Sequence, residues 1–399
     1  MVKSIFYILL SALIISNLFS FLETPKSGIF YTFKLIFLIM TTAYLTVVFN
    51  IKKNSIILTK GNLFIIVFIW TTLLIPSVYG SGSFISGIIF IFSFLLLGYF
   101  CFIAFPNNIN SMKEYFKINY VWLLTLFGGL VFAIGLSYIG YSKMYYISVD
   151  GRLRYLFSFS NSNFLGSFAY VGCIIGIKLI FLKAYNKYHK IIYLLITIFI
   201  LIFMLALLIL SDSRTPFYAL IIYIATYILL NVKFKINPYI KVFIGCLLCC
   251  IVLLIIPQID FDFNLIDTIT SNRFSFWGIL VSNLNGIEWL IGKGAGLTAT
   301  ELIRSLNRIT YDNSFLSTLM QHGILGLFGM FLLIFSSIKQ IVKINNLKLK
   351  KIAIATLMSW LAFSLFESSF YSTGNLTSIY IWSELGILIS SNKFFDTKV

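Results

Sequence analysis

Apolar runs of about twenty residues, enough to cross a hydrocarbon core, follow one another along this chain and are broken by short polar clusters rich in lysine. Nothing else in the sequence constrains the fold as much. A run of that length in lipid must be helical, because each backbone N–H and C=O has to find its partner within the segment. Hydropathy and charge punctuation predict helices over 4–22, 29–49, 62–79, 84–105, 119–138, 162–182, 191–210, 216–231, 240–257, 313–338, 352–371 and 375–391. The expected fold class is therefore all-α, a polytopic integral membrane protein with about 12 transmembrane helices. Residues 1–399 read as a single transmembrane domain without internal repeats. Of the 399 residues 59% are hydrophobic and 11% charged, with a mean hydropathy of +0.97, which is more apolar surface than a soluble domain can hide.

The formal charge of +17 is not a nucleic-acid signature, because no soluble basic domain carries it. Lysines such as Lys52, Lys53, Lys113, Lys117, Lys183, Lys187, Lys233, Lys235, Lys343 and Lys350 fall between spans, in loops that become cytoplasmic once the N-terminus is placed inside. Both termini are then cytoplasmic. The run Ile5–Phe21 follows Lys3 but lacks a small-residue cleavage site, so it reads as a first membrane helix and not a signal peptide. Cys101, Cys173, Cys246, Cys249 and Cys250 all lie in apolar stretches and read as packing residues.

Two segments on the outer side are longer than turns: 139–161, and 258–312, where Asn272–Asn283 and Thr300–Arg308 look like short helices. Thr298 and Glu301 offer a capping box to the second. Every arginine, Arg152, Arg154, Arg214, Arg273, Arg304 and Arg308, falls on that side, whereas the cytoplasmic loops use lysine. Topology is indifferent to which cation supplies inside charge. Arginine placed against the bias therefore points to a use for the guanidinium fork, which grips phosphate oxygens bidentately. Several arginines also precede outward-starting helices: Arg152 and Arg154 before Asn161–Asn163, Arg214 after Ser213 and beside Thr215 and Pro216, and Arg308 before Asp312, Asn313 and Ser314. Helix N-termini add unpaired N–H groups and a positive dipole end. The blander reading of the same arginines is interfacial anchoring on lipid headgroups.

Asp260 and Asp262 form an Asp-x-Asp pair, either a metal-binding spacing or, more ordinarily, a solvated helix end. Gly292, Gly294 and Gly296 read as a tight turn, with no Lys-Ser/Thr pair to make a phosphate loop. His189 lies in a lysine-rich loop and His322 within a span, both without an evident catalytic role. Glu384 in the last span is costly in lipid and marks either a functional site or a partner on another helix; Glu367 carries the same two readings nearer the outer surface.

Four outer patches, FSFSNSNFLG at Phe157–Gly166, LSDSRT at Leu210–Thr215, RFSFWG through GKGAG at Arg273–Gly296 and DNSFLSTLMQHGILG at Asp312–Gly326, resemble in order and spacing the O-antigen polymerase and O-antigen ligase superfamily. The first third of the chain matches only in having spans. The resemblance implies a glycosyltransferase type C-like membrane fold and an inverting transfer from an undecaprenyl-pyrophosphate-linked oligosaccharide, without cofactor or metal, at the outer face of a bacterial cytoplasmic membrane. It implies Arg214 and Arg273 on the leaving pyrophosphate and Asp312 as base. Arg152, Arg154, Asn161, Asn163, Ser213, Arg304, Arg308 and Asn313 would line the substrate site. A flippase and a chain-length regulator are the implied partners, beside membrane lipid. Ligases of the superfamily have histidine where Asp312 stands, so the departure leans toward a polymerase; Asp312 is also a natural N-cap for its helix. A ligase remains the alternative within the class. A lipid-oligosaccharide transporter, the alternative outside it, would need a polar path at mid-membrane, where this reading places Glu384 alone.

The lysine distribution predicts that an impermeant thiol reagent modifies Leu297→Cys in intact cells and spares Asn346→Cys. The opposite labelling would invert the topology.

Overall fold

The computed structural model describes residues 2–23, 27–51, 84–147, 153–182, 190–231, 273–294, 313–372 and 374–392. The expected spans 62–79 and 240–257 lie outside these residues, as do Arg152, Arg304, Arg308, Asp312, the Asp260–Asp262 pair, the Thr298–Glu301 box, His189 and Cys246, Cys249 and Cys250.

The architecture is helical. Helix α1 (Val2–Phe19) lies along α2 (Ser27–Ile51). Next, α3 (Phe84–Tyr99) runs through a π turn at Phe100–Ala104 into the short α4 (Phe105–Asn107). Then come α5 (Met112–Tyr138), α6 (Ser162–Phe181), α7 (Lys190–Leu210) and α8 (Arg214–Asn231). Short helices α9 (Arg273–Ser282) and α10 (Glu288–Ile291) precede the long α11 (Ser314–Val342), α12 (Leu347–Ser364) and α13 (Leu376–Ile389). Among the described residues, Met112–Tyr138, Ser162–Phe181, Ile191–Leu210 and Ser314–Val342 are long and apolar enough to cross a membrane, and Lys3–Phe19, Thr32–Val48, Ile91–Asn107 and Leu376–Ile389 are shorter apolar helices.

Several boundaries differ from the sequence reading for local reasons. Helix α5 begins at Met112, seven residues early, because Ser111 caps it by accepting from the Glu114 N–H at 3.3 Å while a Glu114 carboxylate oxygen accepts from the Asn110 N–H at 3.1 Å. Helix α8 begins at Arg214, so Thr215 is its second residue and not its cap; Pro216 is tolerated there because first-turn N–H groups have no helical partner. Helix α12 ends at Ser364, short of the expected 371, and 365–372 is non-helical, with a turn at 370–371. The segment 139–161 holds a small antiparallel hairpin, β1 (Tyr145–Ile147) with β2 (Leu153–Tyr155), which the all-α reading did not foresee.

Helices α6 and α13 lie at the centre and are buried over nearly their whole lengths, the pattern of helices surrounded by other helices. Here Glu384 proves not to be alone at depth. Lys178 of α6, wholly buried, pairs with Glu384 of α13 at 2.8 Å. The ammonium also donates to Asn119 Oδ1 and, at 2.8 Å, to the Tyr380 hydroxyl, and Tyr115 donates to the other Glu384 oxygen. Both charges thus have partners on every side, as burial in low dielectric demands. Cys101 and Cys173 are free thiols buried in the core, as a packing role requires.

Removing one member of such a pair strands the other and costs about 3–5 kcal/mol, whereas removing both is far milder. Lys178→Met should therefore lower the melting temperature of the purified protein sharply, and Lys178→Met/Glu384→Gln should recover most of the loss. Equal melting temperatures for wild type and Lys178→Met would show that the pair contributes nothing.

Candidate functional site

The turn after α12 gathers segments that are distant in sequence. At its start, Arg273 Nη1 donates to the Phe366 carbonyl at 2.8 Å, and Trp277, one turn further along α9, lies with its ring 6.4 Å from that of Phe366. Glu367 Oε1 accepts from Asn163 Nδ2 at 3.3 Å, and Asn163 Oδ1 in turn accepts from Ser213 Oγ at 3.1 Å. Ser314 donates through its hydroxyl to the Glu367 carbonyl and accepts from the Phe370 N–H at 3.0 Å. The N-terminal ends of α6, α8, α9 and α11 therefore meet around Glu367.

The turn itself is rigidly held. The Phe370 carbonyl accepts from Trp360 Nε1 at 3.2 Å, Trp382 Nε1 at 2.6 Å and Ser378 Oγ at 3.3 Å. At its far end the buried Lys34 of α2 donates to the Gly374 carbonyl at 3.1 Å and stands 5.1 Å from the centre of the Phe21 ring. Lysine inside an apolar run was the available signal for Lys34, as it was for Lys178. The sequence reading passed over both because it counted lysines between spans.

Each neighbouring helix start has a specific cause. Asn161 caps α6 by accepting from the Asn163 N–H at 2.9 Å, which leaves the Asn163 side chain free to bridge Ser213 and Glu367. Gly166 lets the Ser211–Ser213 turn lie against α6: a Cβ there would stand 2.7 Å from Ser213 Cβ. Within that turn Asp212 has φ of 45° and forms an ion pair with Arg154 across 3.5 Å, and Arg154 also donates to the Tyr146 hydroxyl at 3.4 Å. Arg154 thus braces the turn that leads into Arg214, whose side chain is exposed. At α11 the cap is Asn313, which accepts from the Leu316 N–H at 3.0 Å, so capping does not fall to Asp312.

The segment carrying Arg273 is anchored to α11. Phe276, Leu280 and Leu284 pack on Leu316 and Met320. Beyond α10, the N–H groups of Lys293 and Gly294 donate to the carbonyls of Met320 and Gln321 at 2.8 and 3.0 Å. Those carbonyls are available because α11 breaks at Gly323, which has φ of 62°. Neither Gly323 nor Gly292 (φ of 76°) has room for a side chain: a Cβ on either would fall within 2.5 Å of the other's backbone neighbours. The expected glycine turn is real at Gly292 and Gly294 and serves this interlock. His322, at the break, is buried. Glu288 pairs with Lys293 at 2.9 Å; burial raises its pKa, and the Lys293 and Asn285 hydrogen bonds with the Lys293 charge outweigh that and lower it overall.

Of the expected site residues, the structure brings Asn163, Ser213, Arg273 and Asn313 around the Glu367 turn, with Arg214 adjoining Ser213 and Arg154 one step behind. Several helix N-termini and guanidinium groups around one turn suit a polyanion such as a diphosphate. Because Asn161 caps and Asn163 links, their alanine variants should differ. Asn161→Ala should lose about 1 kcal/mol of stability, read as a lower melting temperature. Asn163→Ala removes two part-buried hydrogen bonds, so it should lose about 1–2 kcal/mol as well and, unlike Asn161→Ala, roughly tenfold or more in product formed per folded protein. Full activity of Asn163→Ala would remove it from the site.

No curated protein matches the chain. Residues 199–331 match the family model described as O-antigen ligase, a stretch that contains the patches around Ser213–Arg214, Arg273 and Asn313 and stops short of Asn163 on one side and Glu367 on the other. Over residues 199–331, a third of the chain, the sequence is thus similar to the O-antigen ligase family, which supports the resemblance to the O-antigen ligase and polymerase superfamily.

Proposed function

We propose that this protein polymerises undecaprenyl-pyrophosphate-linked oligosaccharide repeat units of an O-antigen, capsule or exopolysaccharide on the outer face of a bacterial cytoplasmic membrane. The observation that carries the reading is convergence: residues from all the resembling patches, Asn163, Ser213, Arg273 and Ser314, meet at one turn around Glu367. An acceptor sugar hydroxyl attacks the anomeric carbon of the donor from the face opposite its leaving group. The anomeric C–O bond breaks, a base takes the hydroxyl proton, and undecaprenyl pyrophosphate departs with the bonding electrons. Inversion at that carbon follows from the single displacement. Arg214 and Arg273 stabilise the charge that builds on the departing oxygen, a task that positioned guanidiniums perform without a metal. Asp312, immediately before the Asn313 cap, is the proposed base, and Glu367 is the second carboxylate at the turn. Arg152, Arg304 and Arg308 are the further substrate-binding residues of this reading. The partners that fit are a flippase that supplies repeat units and a regulator of chain length.

Arg214→Lys and Arg273→Lys keep charge but lose the fork, and each should reduce polymer about tenfold or more at normal expression. Wild-type polymer from either variant would reduce that arginine to an anchor. Activity should survive EDTA; loss that magnesium or manganese restores would bring Asp260 and Asp262 back as metal ligands.

The description of the matching family as a ligase favours a second reading, transfer of finished glycan to another acceptor. Purified protein mixed with undecaprenyl-pyrophosphate repeat units alone should yield a ladder of lengthening products. Product that forms only when a separate acceptor is added would establish the ligase instead. In the same assay Asp312→Asn and Asp312→Ala should both be well expressed, since Asn313 holds the cap, and both inactive. An active Asp312→Asn would exclude Asp312 as the base.

A further inference from the structure

Hairpin β1–β2 has two unlike faces. Its register pairs Tyr145 with Tyr155, Tyr146 with Arg154 and Ile147 with Leu153. Side chains alternate across a sheet, so Tyr145, Ile147, Leu153 and Tyr155 share one face while Tyr146 and Arg154 share the other. The second face is turned to the site, since Arg154 holds Asp212 two residues before Arg214. The first is open: Tyr145 is 53%, Ile147 68% and Leu153 46% exposed.

That open face continues a surface already described. Along α5 the exposed large apolar side chains are Leu124, Val131, Phe132 and Tyr138, the outward stripe of a helix long and apolar enough to cross a membrane. From Tyr138 the exposed surface runs through Ile139, Tyr141 and Lys143 to the hairpin. A 27-residue helix is about 40 Å long, enough for a hydrocarbon core of about 30 Å and part of a headgroup layer. The hairpin therefore begins where the apolar core ends. Among the described strand residues the open face is aliphatic and tyrosine-bearing, and tyrosine is the residue that favours that depth; exposed Lys143, two residues before Tyr145, is a cation placed to reach lipid headgroups. A surface built to bind glycan would set several hydrogen-bonding side chains beside its rings, and the described strand residues of this face supply only the tyrosine hydroxyls.

We propose that the β1–β2 hairpin lies in the membrane–water interface at the site's end of the bundle, with Tyr145, Ile147 and Leu153 among lipid and Arg154 on the Asp212 turn. It thereby forms a wall along which a lipid-borne diphosphate reaches Arg214 from the plane of the membrane. This last clause rests on the proposed function; the placement in lipid does not.

The placement is tested by spin labels at Ile147→Cys and Leu153→Cys in the full chain, in a cysteine-depleted background reconstituted into phospholipid nanodiscs. Collision with oxygen, which concentrates in lipid, should exceed collision with a water-soluble nickel chelate by the same factor as at Phe132→Cys on α5. It should be severalfold above the ratio at Asn285→Cys in the α9–α10 loop. A ratio equal to that at Asn285 would overturn the placement and leave the face to water or glycan. For the access clause, Ile147→Asp/Leu153→Asp should keep the melting temperature and lose tenfold or more of product from lipid-linked donor. Undiminished product would overturn that clause. If the labels report lipid while Arg214→Lys is fully active, the proposed chemistry fails and the interfacial hairpin stands.

Discussion

An ammonium and a carboxylate facing each other at 2.8 Å, far from water, fix the centre of this molecule. Lys178 and Glu384 tie α6 to α13, and Tyr115 and Asn119 tie both to α5, so the innermost helices are held in one register by directional contacts. Apolar packing alone would not choose that register. Leu and Ile surfaces slide past one another at little cost in hydrocarbon, where lipid tails are as apolar as the side chains. The pair accepts no neighbouring register, because a one-turn shift would leave a bare charge in the core. With α6 and α13 set, Asn161 at the head of one and Asn375 at the head of the other fall at the same end of the bundle, around the turn that bears Glu367.

That turn is organised in reverse to a usual loop. Instead of backbone groups facing water, its carbonyls are claimed from several directions: Phe366 by Arg273, Glu367 by Ser314, Phe370 by two indoles and Gly374 by Lys34. Chemistry that depends on aimed charges needs donors that do not reorganise as charge develops. A turn with its carbonyls occupied in this way holds the groups around it in fixed positions.

The helices were legible wherever an apolar run stood between polar clusters, and helix starts were legible where an asparagine or serine preceded them, as at Asn161. The hairpin was not, since three-residue strands give too short an alternation to distinguish from loop. Nor was the early start of α5, where Ser111 and Glu114 cap a helix whose first turn is too polar to register as a span. At the site, the patches themselves were visible, but their common centre was not. Glu367 belongs to none of them, and its place follows from a hydrogen bond to Asn163, 204 residues away. The cations that matter most to packing, Lys34 and Lys178, are hidden by the same averaging that makes hydropathy useful: one charge scarcely dents a window of about twenty apolar residues.

Helix α11 is cut at Gly323, and the two carbonyls just before the cut are taken by another part of the chain. The stretch from Ser314 to His322 therefore belongs mechanically to α9 and α10 more than to the remainder of its own helix. Gly323 is the joint between that stretch and the rest of α11. Ser314, at the far end of that stretch, is bonded to the turn that carries Glu367. The guanidinium of Arg273 and the segment of Glu367 are accordingly held by one continuous set of contacts.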